Sequence, residues 1–271
     1  MVRSLAARIA MAGIAGAALV WAGATTALWF GQERILFKPE PLAADVALSS
    51  DPDVSERFVD VPGARLSVLE LRRPHPDGVV FFLHGNNANL KTWFTGGDLY
   101  RRANLDLVMM DYRGFGKSTG RIDSEVQLHD DVEAVWQSVA ARYAGKRVIA
   151  YGRSLGTALA SAWAARHRPA LTIMVSPYIS MRELAAQHYP WVPEALLRYR
   201  LDNAESVARL QTPLMLVHGD SDTLIPPSHS EALSTLAPRS RLVVIRGAAH
   251  ADVHRFADYR AAIASALATA R

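Results

Sequence analysis

The 271-residue chain predicts an α/β architecture, a mostly parallel eight-stranded sheet with helices on both faces and a short helical cap. Three observations predict it. Apolar runs of strand length alternate with helix-like stretches from residue 58 onward. Hydrophobic residues make up 50% of the chain, ample for a single core once the first ~30 residues are set aside. Gly152-Arg153-Ser154-Leu155-Gly156 joins an apolar strand to a helix-like stretch in the Gly-x-Ser-x-Gly form of a nucleophile elbow.

Taken in order, the first element is an apolar helix. Ile9 to Phe30 contains no charged residue, and at ~1.5 Å per residue it can cross a ~30 Å hydrocarbon layer. Arg3 and Arg8 precede it, and beyond it Glu33 and Glu40 balance Arg34 and Lys38. That asymmetry puts the N-terminus in the cytoplasm and the rest of the chain outside. Residues 1–31 therefore read as an uncleaved membrane anchor, with Trp21, Trp29 and Phe30 towards its far interface. A cleaved signal peptide is the competing reading, because Ala22-Gly23-Ala24 has the small-x-small form of a cleavage site. The apolar stretch exceeds a usual signal core. Residues 32–57 read as a linker, and residues 58–271 as one domain.

Within that domain, strands are expected to begin near Phe58, Leu66, Val79, Leu107, Val148, Leu171, Leu214 and Leu242. The first two form an antiparallel hairpin turned by Pro62-Gly63. Helices are expected near Leu90, Asp123, Leu155 and Pro227, and from His254 to Leu267. The segment 178–210 lies between the sixth and seventh strands and is interrupted by Pro190 and Pro193. It reads as a cap of two or three short helices. Its aromatics and leucines suit an acyl-chain groove as well as they suit packing on the domain beneath.

The chemistry is expected at strand ends. A serine on a tight strand-to-helix turn holds its hydroxyl in the open, and flanking glycines let the backbones approach. Serine is a weak nucleophile until an imidazole takes its proton and a carboxylate orients that imidazole. Both follow in the chain. Leu214 to Gly219 is an apolar strand running into a loop with Asp220 and Asp222, of which Asp222 is the candidate acid and Asp220 a turn-former or surface carboxylate. Val243-Val244-Ile245 runs through Gly247 to His250, the candidate base. The backbone N–H groups of Leu155 and of Asn86, after the strand ending at His84, are the candidate oxyanion donors. His84 braces its loop, His218 packs at a strand end, and His75, His129, His167, His188 and His229 are expected at the surface. His250 and His254 stand four residues apart, but they lack the HExxH pattern and a third ligand, so no metal is expected.

These motifs, with Asp111-Tyr112-Arg113-Gly114-Phe115-Gly116, Ser176-Pro177-Tyr178 and Gly247-Ala248-Ala249-His250, resemble the α/β-hydrolase superfamily. The nearer resemblance is to its membrane-anchored branch of depalmitoylases and lysophospholipid or monoacylglycerol lipases, often called serine aminopeptidase-like. It extends from about residue 58 to the C-terminus. It implies a Ser154–His250–Asp222 triad, no cofactor, and a structural or wall role for Arg113. Glycine often precedes the histidine in that family. Ala249 stands there instead, which the backbone tolerates unless it needs a positive φ.

Composition narrows the remaining classes. The chain has no cysteine, which excludes disulfides, thiolate metal sites and a cysteine nucleophile. The formal charge is +4, without a basic stripe interleaved with aromatics, so no nucleic-acid partner is expected. The expected activity is hydrolysis of carboxylic or acyl-thio esters, of lipid-like or small acyl substrates, through an acyl-enzyme. An aminopeptidase-type serine peptidase and a non-catalytic binding protein on the same fold are the alternatives.

Overall fold

Near-continuous apolar runs give the central strands two buried faces, and the sheet is built accordingly. A computed structural model describes residues 2–270, with side chains from residue 7 to residue 270. The strands are β1 (Val54–Val61), β2 (Ala64–Leu71), β3 (Gly78–Leu83), β4 (Leu105–Met110), β5 (Arg147–Arg153), β6 (Leu171–Val175), β7 (Leu214–Gly219) and β8 (Ser240–Ile245). They lie in the order 8-7-6-5-3-4-2-1. Pairing is parallel from β4 through β8, and antiparallel for β1–β2 and β2–β4. Val61 pairs with Ala64 across Pro62-Gly63, where Gly63 takes φ +76°, so the expected hairpin turn is present.

The helices are α1 (Val2–Leu36), α2 (Leu90–Trp93), α3 (Gly97–Arg102), α4 (Glu125–Ala140), α5 (Gly156–His167), α6 (Met181–His188), α7 (Asn203–Val207), α8 (Ser228–Leu236) and α9 (Ala257–Thr269). On β3, Val79, Phe81 and Leu83 face one core with Leu128 and Val132 of α4 and Leu159 and Trp163 of α5. Val80 and Phe82 face the other, with Tyr100 of α3 and Ile263 and Leu267 of α9. Successive side chains of an unbroken apolar run point to opposite faces, so both faces of the strand are covered by helices.

Several expectations move. α1 does not stop near residue 31 but runs to Leu36, because Glu33 and Arg34 are good helix formers. The side chain of Arg3, part of the charge asymmetry, lies outside the described residues. The stretch 32–57 is no free linker. Phe37 and Leu48 are buried, Lys38–Pro39 pairs in parallel with Asn87–Ala88, and Leu42 N–H and Gly116 N–H exchange bonds with Gly116 and Glu40 carbonyls. Apolar residues spaced that widely carry no periodic signal. The helix near Leu90 lasts four residues, and Gly96 at φ +70° starts a second that was not expected. His254 lies in a 3-10 turn, Val253–Arg255, ahead of α9. His229 is buried rather than exposed, its Nδ1 accepting from Ile179 N–H at 3.1 Å.

Arg113, expected as structural or wall, is structural. It donates through Nε and Nη2 to both carboxylate oxygens of Asp131 at 2.7 and 2.8 Å, both residues buried. Removing one partner of such a pair leaves a charge without compensation. Arg113→Ala should lower unfolding free energy by about 3–5 kcal/mol in denaturant titration. Arg121→Ala breaks the exposed pair with Asp123 and should change it by less than about 1 kcal/mol.

Candidate active site

The site lies at the carboxyl ends of β5, β7 and β8, on one rim of the sheet. β5 passes into α5 through Ser154, which takes φ +51°, a left-handed conformation that bulky residues avoid. That bend is possible because its flanks carry no side chain. A Cβ on Gly152 would meet Gly156 O at 2.6 Å, and a Cβ on Gly156 would meet Leu83 O at 2.1 Å. The turn is therefore pressed against the end of β3. Ser154 N–H donates to Val175 O on the neighbouring β6 at 2.9 Å.

Three side chains expected together come together. Ser154 Oγ stands 2.9 Å from His250 Nε2, and His250 Nδ1 stands 2.8 Å from Asp222 Oδ2. An ionised carboxylate only accepts, so Nδ1 carries the proton, and Nε2 is left to accept from the serine hydroxyl. Asp222 is buried and its other oxygen accepts from Leu224 and Ile225 N–H at 3.0 and 2.8 Å. Burial alone would push this carboxyl up. Hydrogen bonds from His218, His250 and Ile225 N–H outweigh it and hold the group far below the usual carboxylate range. Asp220 is an exposed carboxylate that accepts from Gly247 N–H in the neighbouring loop at 2.7 Å, where Gly247 takes φ +73°. Ala249 is not among the positive-φ residues, so alanine fits there.

Asn86 and Leu155, the expected oxyanion donors, line the same cavity as Ser154. Gly85 lies so close to the elbow that an added Cβ would stand 3.5 Å from Ser154 Cβ. Among the described residues, neither Asn86 N–H nor Leu155 N–H is taken up by another hydrogen bond. The Asn86 side chain turns away and donates to Leu36 O at 2.9 Å, at the end of α1.

Two supports went unrecognised in the sequence. His218 is buried 3.3 Å from Asp222 Oδ2, accepts at Nδ1 from Ser230 Oγ and donates at Nε2 to Ile225 O. Its place four residues before Asp222, at a strand end, was the available signal. Arg153, the variable residue of the elbow, lies over the Trp93 ring at 5.1 Å and donates to His250 O and Ala251 O. It also contacts His254 Nδ1 at 3.2 Å. Burial first, and then the Arg153 and Arg255 charges, lower the His254 pKa, keeping the ring neutral. His84 is buried, its carbonyl accepting from Tyr112 OH, in keeping with a bracing role.

The serine opens into a cavity of ≈ 1030 Å³. The cap forms its far wall through Met181, Leu184 and Tyr189. The cap consists of α6, a 3-10 turn (Glu194–Leu196) and α7, and α7 is tied to α5 by Asn203 Nδ2 donating to Thr157 Oγ1 and Tyr178 O. No Asp or Glu lines the cavity among the described residues, whereas Lys38, Arg153 and Arg255 do.

An eight-stranded sheet of this order, with a serine elbow after β5 and carboxylate and histidine loops after β7 and β8, defines an α/β-hydrolase. Comparison with known proteins agrees. The family described as "Serine aminopeptidase, S33" matches residues 74–204. An uncharacterized protein of Mycobacterium tuberculosis is 32% identical over 251 residues, covering 88% of this chain and 87% of its own length. Human "Alpha/beta hydrolase domain-containing protein 17B" is 30% identical over 223 residues, covering 78% of this chain and 74% of its own. Among solved structures, the Pyrococcus furiosus esterase Pf2001 superposes with a TM-score of 0.66 at 17% identity, over 85% of this chain and 96% of that one. The chain belongs to the α/β-hydrolase superfamily.

Because the Asp222 carboxyl is more acidic folded than in the unfolded chain, where it lies near ~3.9, its stabilising effect is present above about pH 4. It is lost only as pH falls through the depressed folded value. The unfolding free-energy difference between wild type and Asp222→Asn should not shrink between pH 8 and pH 5, and should shrink below about pH 4. Denaturant titrations across that range measure it, and a collapse of the difference near neutrality would contradict the assignment.

Proposed function

We propose that the protein is a membrane-anchored serine hydrolase that cleaves carboxylic or acyl-thio esters through an acyl-enzyme. The observation that carries this is the unbroken Ser154–His250–Asp222 chain of hydrogen bonds at the head of a largely apolar cavity. Ser154 Oγ attacks the acyl carbonyl as His250 Nε2 takes its proton. Asp222, ionised, keeps the tautomer in place and stabilises the imidazolium. The N–H groups of Leu155 and Asn86 receive the oxyanion, each such donor being worth roughly 3 kcal/mol in the transition state. His250 then returns the proton to the departing alcohol or thiol. Water, deprotonated by the same imidazole, attacks the acyl-serine, and the acid leaves with Ser154 Oγ reprotonated.

A peptidase that trims N-terminal residues has to receive a cationic amine. A cavity with basic residues and no carboxylate in its lining speaks against that and for a neutral acyl group. The esterase named among the structural neighbours shares the fold and supports the same reading. The anchor reading rests on α1, whose Ala7–Leu36 portion is apolar, exposed and long enough to span a bilayer.

Ser154→Ala should abolish hydrolysis of p-nitrophenyl esters, and fluorophosphonate should label Ser154 in the wild type alone. Asp222→Asn should lower kcat about 10⁴-fold with the fold intact, while Asp220→Asn should keep most activity. Faster cleavage of aminoacyl-amides than of esters would instead support the peptidase. N-terminal sequencing of the membrane fraction should find the uncleaved start, and a mature start near Thr25 would overturn the anchor.

A further inference from the structure

The mouth of the cavity is formed by the helix that precedes the hydrolase domain. Leu28, Gln32, Ile35 and Leu36 of α1 line the same space as Ser154 and His250. Their spacing of four, three and one residues puts them on one face of the helix. That face is fastened on two sides. Gln32, buried, donates through Nε2 to Leu196 O at 2.6 Å and accepts at Oε1 from Arg198 N–H at 2.9 Å. Glu33 accepts from Tyr199 OH at 2.9 Å and pairs with Arg198 at 2.6 Å. On the other side, Asn86 Nδ2 holds Leu36 O, and Lys38 N–H donates to Asn86 O at 2.7 Å. The helix end is thus wedged between the cap and the loop beside the serine.

The uncharged run of α1 ends at Phe30, two residues beyond Leu28, the cavity's outermost contact on the helix. From Leu28 to Leu36 the wall covers ~12 Å of helix, leading from the edge of the apolar span towards the reacting serine. Exposed apolar side chains lie at this end: Trp29 and Phe30 on α1, with Tyr189 of the cap and Leu224 of the acid loop in the cavity lining. Grouped aromatics and leucines at the end of a membrane span suit the headgroup boundary.

We propose that the exit turn of α1 is part of the substrate site, forming one wall of an acyl-chain groove that opens at the bilayer surface. The acyl chain of a membrane-resident ester enters from the hydrocarbon side along Leu28 and Ile35, with Met181, Leu184 and Tyr189 of the cap as the opposite wall. Its carbonyl arrives at Ser154. This rests on the anchored-esterase reading above and adds to it the source of the substrate and a specificity-determining surface. The anchor then selects chain length as well as location.

The test uses the full-length protein reconstituted in phosphatidylcholine vesicles. Leu28→Trp and Ile35→Trp fill the groove, and Val20→Trp, on an exposed part of α1 away from the cavity, is the control. Hydrolysis of p-nitrophenyl esters from acetate to palmitate is one readout. The groove variants should lose tenfold or more in kcat/KM on the long chains while acetate stays within about twofold, and Val20→Trp should leave the profile unchanged. Equal losses at every chain length, or no loss, would overturn the proposal. The second readout is equilibrium binding of dansyl-undecanoic acid to the same variants in a Ser154→Ala background, where no chemistry occurs. Ile35→Trp should weaken binding tenfold or more, and unchanged affinity would overturn the groove. Because this arm needs no turnover, it decides the groove even if wild type hydrolyses no ester, an outcome that would sink the esterase reading alone.

Discussion

The close approach of the β5–α5 turn to the end of β3 is the contact on which the rest of the site depends. Gly156 sits where any side chain would strike Leu83 O, and Gly152 sits where one would strike the first turn of α5. Backbone therefore meets backbone, and Ser154 is forced to φ +51° with its hydroxyl directed away from the packed sheet. The same approach brings Gly85 and Asn86 beside the serine, so one steric condition positions a hydroxyl and the loop that faces it. The strain is local, and the surrounding parallel sheet, buried on both faces, holds it.

The acid and base are organised by lacing two loops together. Gly219 packs against Ala248 O, Ser221 N–H donates to that carbonyl, and Asp220 holds Gly247 N–H. Asp222 and His250 thus come from loops that are braced against each other before they meet the serine. Arg153 adds a third tie by reaching from the elbow to the carbonyls of His250 and Ala251. Preorganisation of this kind leaves little reorganisation for the reacting state.

Much of this could be read in the residues. The elbow, the chain order of serine, carboxylate and histidine, and the apolar strand runs each follow from spacing that physics constrains, whereas the different partners of Asp220 and Asp222 appear only in the fold, Asp222 meeting His250 and Asp220 meeting Gly247 N–H. What escaped reading was set by contacts distant in sequence. The segment 32–57 has no periodicity, yet Phe37 and Leu48 are buried in the two cores, Phe37 edge-on to the Tyr199 ring. His229 looks like a surface residue on a helix until α6 covers it. His218 and Arg153 act through neighbours that only folding assembles. Gly96, at a positive φ, starts a short helix after α2 has ended.

The joining of α1 to the domain leaves no slack. Residues 37 to 42 are bonded to the loops at 86–89 and at Gly116 as soon as the helix ends. A flexible leash would let a tethered catalyst search a volume that grows with its length, and would set an effective concentration by statistics. Here helix and hydrolase turn together, so whatever holds the helix also fixes the height and tilt of Ser154. For the anchored esterase proposed above, reach becomes a matter of geometry: an ester presented at the level of the mouth is accessible at once, and one standing further off is beyond it however long the two remain neighbours.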